Sequence, residues 1–331
     1  MAARGNTADI MAGGRSYRKR GSNSNTPRNY GKGFAIAMVL VLVFALIHTF
    51  VLSEDSYFVT NFGSNVGSSF GSSLGSNLVP GDNEIIVAFL DVGQGDSMLI
   101  WSAQNAILID GGNVGVGDTV LAYMRGAGIN RLDYVIATHP HSDHIGGLVA
   151  VLGRAEVGHV LMPDVIHTTR SFENFIDVID NNDIPVIMPE AGQEFTAGII
   201  SFTVLAPVHG FHRNLNDASI VLRLTHGETS FLFTGDAESP SERAMIASGQ
   251  CLRADVLKLG HHGSRTSTTE AFLDAVSPAV AVITVGYGNQ FGHPHGEVLE
   301  RLNRRGVAIF RTDINGTVIM ATDGRQIVLL Q

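Results

Sequence analysis

Residues 137–147 read Ala-Thr-His-Pro-His-Ser-Asp-His-Ile-Gly-Gly, placing His139, His141, Asp143 and His144 within six positions. The preceding Tyr134–Thr138 is apolar enough for a β-strand. A turn after that strand aims His139 and His141 at one cation and Asp143 and His144 at a second. Imidazole and carboxylate donors suit Zn or Mn at ~2.0–2.2 Å. Thirteen histidines against one cysteine, Cys251, point the same way and exclude an internal disulfide framework. Asp236 ends the run Phe-Leu-Phe-Thr-Gly-Asp, where one carboxylate can bridge two ions. His261 and His262 end another such run, 255–262. Asp110 follows Ile-Leu-Ile; it either orients a ligating histidine from behind or caps its strand.

Paired divalent ions lower the pKa of water to about 7 and stabilise a leaving oxygen, which is the chemistry of hydrolysis. Asp143 belongs to this catalytic group. Two further features point to a phosphoester. Ser264 and Arg265, with Ser267 and Thr268, precede an apolar-periodic segment ending at Val276. Hydroxyls and free N–H groups there can hold an oxyanion, or Ser267 or Thr268 simply caps the helix. His293 and His295, in Gly-His-Pro-His, reach the same mouth if the strand at 279–285 ends there. Either can serve as general acid for the leaving group; a structural turn is the alternative.

The elements that must carry these groups are legible as runs. Strands are predicted at 84–90, 97–101 and 106–110, a helix at 120–128, a strand at 134–138 and a helix at 145–153. A strand at 159–162, a helix at 172–181 and four strands between 184 and 235 come next. Helices at 239–248, 268–276 and 296–306 then alternate with strands to the end. Two rounds of strands followed by helices imply an α/β fold, a four-layer αββα sandwich.

The series H-x-H-x-D-H, T-G-D and H-H-G-S resembles the metallo-β-lactamase fold superfamily. More narrowly, FLDVGQGDS (89–97), LIDGG (108–112), THPHSDHIGG (138–147), LFTGD (232–236), LKLGHHGS (257–264) and FGHPH (291–295) resemble the C-terminal hydrolase domain of ComEC-type competence proteins. The resemblance implies a dinuclear hydrolase whose ligands are His139, His141, Asp143, His144, Asp236 and one of His261 and His262. Two departures stand out. ComEC proteins carry a many-helix channel, whereas one candidate span is visible here, so this chain is not expected to conduct DNA itself. The superfamily's further metal-binding histidine has no clear counterpart: that region reads APVHGFHRNLNDAS, with His209 and His212 as substitutes or loop residues.

Phe34–Leu52 is an almost unbroken apolar run, about 28 Å as a helix at ~1.5 Å per residue, close to the ~30 Å bilayer core. Residues 1–33 hold seven of the 22 basic residues and one of the 31 acidic ones, and read as a disordered cytoplasmic tail. Arg28 and Lys32 precede the run and Glu54 and Asp55 follow it, so a signal anchor holds the rest outside the membrane. A cleaved signal peptide is the alternative. Residues 53–84 are Gly/Ser-rich with a four-residue period, a linker or a glycine zipper, leaving 85–331 as the hydrolase domain. Fifteen basic against thirty acidic residues then remain outside 1–33, with Lys258 the domain's one lysine. That charge opposes a long polyanion. Three readings follow: a tethered nuclease or phosphodiesterase with DNA as substrate and a separate channel partner, an esterase for another extracytoplasmic phosphoester such as a phosphocholine-bearing wall polymer, and a non-catalytic module of the same fold. Protease added to intact cells should digest the domain beyond Glu84; full protection, with digestion only after lysis, would overturn the topology.

Overall fold

Strand β1 (Ile85–Phe89) is buried along its whole length, because its two faces serve two different cores. Ile85, Val87 and Phe89 face a second sheet, while Ile86 and Ala88 turn toward helices. A strand covered on both sides needs a continuous apolar run rather than alternation. In this computed structural model, which describes residues 78–208 and 214–331, that pattern repeats in both sheets. The tail, the apolar run 34–52, most of the linker, and His209 and His212 lie outside the described residues. Among the described residues no helix is long and apolar enough to cross a membrane.

The first sheet has eight strands in the order β15-β14-β1-β2-β3-β4-β5-β6. These are β2 (Met98–Trp101), β3 (Ala106–Ile109), β4 (Arg131–Ile136), β5 (Glu156–Leu161), β6 (Val186–Ile187), β14 (Val318–Thr322) and β15 (Ile327–Leu329) beside β1. The second has seven, β13-β12-β11-β10-β9-β8-β7. They are β7 (Glu194–Ala197), β8 (Ile200–Ala206), β9 (Val221–His226), β10 (Thr229–Phe233), β11 (Val256–Lys258), β12 (Val280–Ile283) and β13 (Ala308–Arg311). Strands β3 to β6 pair in parallel, as do β10 to β13. Phe89, Phe202, Phe231 and Phe233 fill the space between the sheets. Full burial of each stabilises by about 1.5–3 kcal/mol.

Helices cover both outer faces. On the first sheet lie α1 (Gly117–Gly126), the short α2 (Ser142–Ile145) and α3 (Leu148–Leu152), and α4 (Arg170–Asn181), packed through residues such as Val120, Leu148 and Phe175. On the second lie α5 (Ser239–Ser248), α6 (Glu270–Val276) and α7 (Gly296–Arg304), through Met245, Phe272 and Leu302. The helix–sheet–sheet–helix layering expected from the sequence is present. The single helix expected at 145–153 is instead two, α2 and α3, separated at Gly146 and Gly147. Strand β7 was not anticipated: it is an edge strand with Glu194 and Thr196 exposed. Ahead of β1, Trp101 Nε1 donates to the Leu78 carbonyl at 3.1 Å.

Candidate metal centre

Parallel strands end together, and the ends of β3, β4, β10 and β11 deliver Asp110, His139, Asp236 and the pair His261–His262 to one place. The turn after β4 carries His139 and His141, and α2 then lifts Asp143 and His144 on its first turn. The donors sort around the two oxygens of Asp236. Oδ1 lies 3.2 Å from His144 Nε2 and 3.6 Å from His262 Nε2, and the latter is 3.3 Å from Asp143 Oδ2. Oδ2 lies 3.8 Å from His139 Nε2, which is itself 2.9 Å from His141 Nδ1. The groups His139–His141–Asp236 and Asp143–His144–His262 are each compact enough for one cation. Asp236 Oδ1, His144 Nε2 and His262 Nε2 are buried with no hydrogen-bond partner. Orphaned buried polar atoms are costly, and three that converge fit a divalent ion.

The far side of each ring is anchored. His144 Nδ1 donates to Asp110 Oδ2 at 2.8 Å, and His262 Nδ1 to the Thr284 carbonyl at 2.9 Å. Each bond places a proton on Nδ1 and turns Nε2 inward; against burial, the surrounding acids raise both imidazoles, His262 to about 10, so an ion held there would displace a proton from Nε2. Asp110 is held by the Thr138 amide and hydroxyl at 2.8 and 2.7 Å. Burial, with His144 adding to it, pushes His139 well below the usual imidazole range, so it is neutral as a ligand must be. Against burial, His144 and His262 hold the Asp236 carboxyl well below the carboxylate range. Ser219 accepts from the Asp236 amide at 3.0 Å and lies 3.4 Å from His139 Nδ1.

The family model of the metallo-beta-lactamase superfamily matches residues 90–286. The chain belongs to that superfamily. Among curated proteins it is similar to ComE operon protein 3 of Bacillus subtilis, 31% identical over 70% of this chain and 32% of that protein. It is likewise similar to competence protein ComA of Neisseria gonorrhoeae, 33% identical over 72% of this chain and 32% of that protein. Recombination protein 2 of Haemophilus influenzae is 33% identical over 69% and 28% respectively. The chain thus spans about a third of the length of these competence-type relatives.

Within this superfamily domain the adjacent histidines divide. His262 is buried among the metal-facing groups, whereas His261 is partly exposed at the mouth, its Nδ1 donating to Glu238 Oε1 at 2.8 Å and its Nε2 3.8 Å from Asp236 Oδ2. Both sit at positive φ, 48° and 53°, which aims consecutive rings in different directions. The His293 ring comes within 5.3 Å of His261 and 6.3 Å of His262. Burial and the imidazoles of His261, His262 and His295 lower its pKa to about 4, so it is neutral at neutral pH. His295 Nδ1 instead accepts from the Arg265 amide at 3.1 Å. The Ser264 hydroxyl is engaged with Thr266 at 2.9 Å, and Arg265 Nε lies 3.4 Å from Glu297.

The expected oxyanion pocket before α6 needs correction. The buried Glu242 carboxylate already accepts from the Thr268 and Thr269 amides, and the cap is Thr269, not Ser267 or Thr268. Sequence reasoning also passed over Asp96, Glu238 and Thr284. Asp96 lies in the Gly-Gln-Gly-Asp-Ser run, where an acid just after two glycines and just before an apolar strand was the available signal.

Gly147 locks this geometry. Its amide donates to the Gly112 carbonyl at 3.0 Å, and a Cβ built on it would meet the Gly111 carbonyl oxygen at 1.9 Å. Since the Gly111 amide donates to the His144 carbonyl at 2.7 Å, displacement there moves a ligand. Gly147→Ala should cost about 1–3 kcal/mol in urea unfolding and weaken metal binding. Unchanged stability and affinity would show that the contact yields freely.

Proposed function

We propose that the chain is a membrane-anchored, two-ion phosphodiesterase of the ComEC hydrolase type, working outside the cytoplasmic membrane. The convergence of imidazoles on both oxygens of Asp236, with Oδ1 and the His144 and His262 nitrogens that face it left without a hydrogen-bond partner, carries the reading. His139, His141 and Asp236 would hold one ion, and Asp143, His144, His262 and Asp236 the other. When bound, such a pair supplies a nucleophile at neutral pH and an electrophile for the leaving oxygen. Asp110 keeps His144 in the right tautomer, and the Thr284 carbonyl does so for His262. His293 faces the substrate at the mouth. Being neutral, it donates one N–H to the oxygen on which charge develops, in place of the full proton expected of an imidazolium.

A nucleic-acid strand is the favoured diester, despite the acidic domain. Tyr287 is 90% exposed and Phe291 53% exposed on the loop that delivers His293. Aromatic faces stack on bases of any sequence. The names of the relatives, competence and recombination proteins, agree with this substrate. The arginines of α7 give no competing groove: Arg304 and Arg305 pair with Glu270 at 2.7 Å. That same shortage of displayed cations favours the second reading, a smaller extracytoplasmic phosphoester. A separate channel partner belongs to the first reading.

The full-length chain in detergent should bind about two Zn or Mn ions and cleave both bis(4-nitrophenyl) phosphate and a single-stranded oligonucleotide, with activity lost on chelation. Asp236→Ala should lose both ions and both activities. His293→Ala should retain metal and lose about 10²-fold in kcat on the oligonucleotide, with a smaller loss on the nitrophenyl ester. Opening of a lactam or thioester with no diester cleavage would remove the phosphoester class. Tyr287→Ala should raise KM for the oligonucleotide about 5- to 150-fold, about 1–3 kcal/mol per lost stack, and leave the nitrophenyl ester untouched. An equal effect on both substrates would eliminate the stacking role and favour the smaller phosphoester.

A further inference from the structure

Lys258 is the last residue of β11, fully buried between Leu257 and Leu259. Its ammonium contacts Asp96 Oδ2 and donates to the Gly235 carbonyl at 2.9 Å. Asp96 comes from the loop between β1 and β2, so this pair joins the two sheets behind the metal centre. The other oxygen of Asp96 accepts from the Thr284 hydroxyl and lies 3.2 Å from His262 Nδ1. Oδ2 is also 3.8 Å from His144 Nδ1. Asp96 therefore stands behind both histidines of the Asp143 side.

By donor type and spacing Asp96 also qualifies as a ligand. It forms a cation-sized group with Asp236 and His262, and another with Asp110 and His144. Lys258 distinguishes it from the carboxylates that face the ions. A fixed positive charge at contact with Asp96 strongly repels a divalent ion from the same carboxylate in a buried setting.

We propose that Lys258 is the resident cation of the centre: its ammonium takes the place beside Asp96 that a third divalent ion would otherwise fill, limiting the site to two ions. The same contact holds Asp96 against Thr284 and His262, which makes both Asp96 and Lys258 positioning residues. The inference rests on the two-ion reading of the site, and the test separates the two.

Full-length wild type, Lys258→Met and Asp96→Asn/Lys258→Met would be dialysed against Mn and, separately, Zn, and their bound metal counted. The expected contents are about two ions for wild type, about three for Lys258→Met and about two for the double variant. In the double variant the Asp143-side ion should bind about 10–100-fold more weakly, because His262 has lost its charged support. Wild type without metal would defeat the two-ion reading. Two ions in both wild type and Lys258→Met would leave that reading intact and overturn the role of Lys258. Acylation of the native wild type covers the case in which Lys258→Met does not fold. The chain has three lysines, Lys19, Lys32 and Lys258. Acetic anhydride should modify Lys258 at least about tenfold more slowly than the other two, with or without metal. Equal rates would place the ammonium outside the site and overturn the proposal.

Discussion

Three carboxylates, Asp96, Asp110 and Asp236, are fully buried at one junction between two sheets, with Asp143 beside them. Water-free carboxylates persist only when each meets a cation or strong donors. Asp96 meets Lys258, and Asp110 meets His144 and Thr138. Asp236 keeps one oxygen without a hydrogen-bond partner, facing imidazoles that have themselves been turned inward. The remaining negative charge is the feature around which the domain is organised. Parallel strands in both sheets bring Asp110 and Asp236 to one edge, the loop between β1 and β2 adds Asp96, and glycines let the segments that carry the acids approach. Gly95 shows the demand: at φ 137°, a Cβ there would sit 2.3 Å from the Asp143 carbonyl oxygen.

Much of the scaffold was legible because strands buried on both faces must be apolar throughout. The runs that became β1, β3 and β10 satisfy that condition with no polar interruption except Thr229 and Ser230 in β10. Where one face meets solvent, the signal weakens. Strand β7 has Glu194 and Thr196 outward and only four residues, so its alternation is too short to separate from a loop. The division into α2 and α3 was hidden for another reason. Apolar periodicity continues across Gly146 and Gly147, and only the tertiary approach of Gly111 and Asn113 reveals why the chain turns there.

The ligand cluster was legible where it is local. Four donors within six residues of a strand end constrain their own geometry, and Asp236 and His262 were recognisable as further strand-end donors. The supporting contacts are not local. Asp96 and Lys258 are 162 residues apart, and Glu238 and His261 are 23 apart. Neither pairing follows from spacing. One clue was present all the same: a lysine inside Asp-Val-Leu-Lys-Leu-Gly sits where both neighbours must be buried. A charged residue in that position calls for an acid across the core. Counting Lys258 only as the domain's one lysine overlooked that requirement.

The division between His261 and His262 shows how two identical side chains acquire different environments. His262 has exchanged water for Thr284 and the buried acids, so its inward nitrogen faces the Asp143 and Asp236 carboxylates. His261 keeps solvent access, and its Glu238 partner is fixed by Asn214, Asn216 and Thr266 at 2.8–3.3 Å. Together with His293 and the exposed rings of Tyr287 and Phe291, it belongs to the rim. The rim therefore offers planar, largely uncharged surfaces, while the base of the site holds the concentrated charge. A polyanion would gain little from such a rim at long range, so on the proposed reading attraction would come from ions held at the base and from stacking at close range. On the nucleic-acid reading proposed above, this arrangement would favour a short, unpaired segment with exposed base faces over a duplex, whose stacked bases are hidden and whose rigid backbone would have to approach an acidic domain.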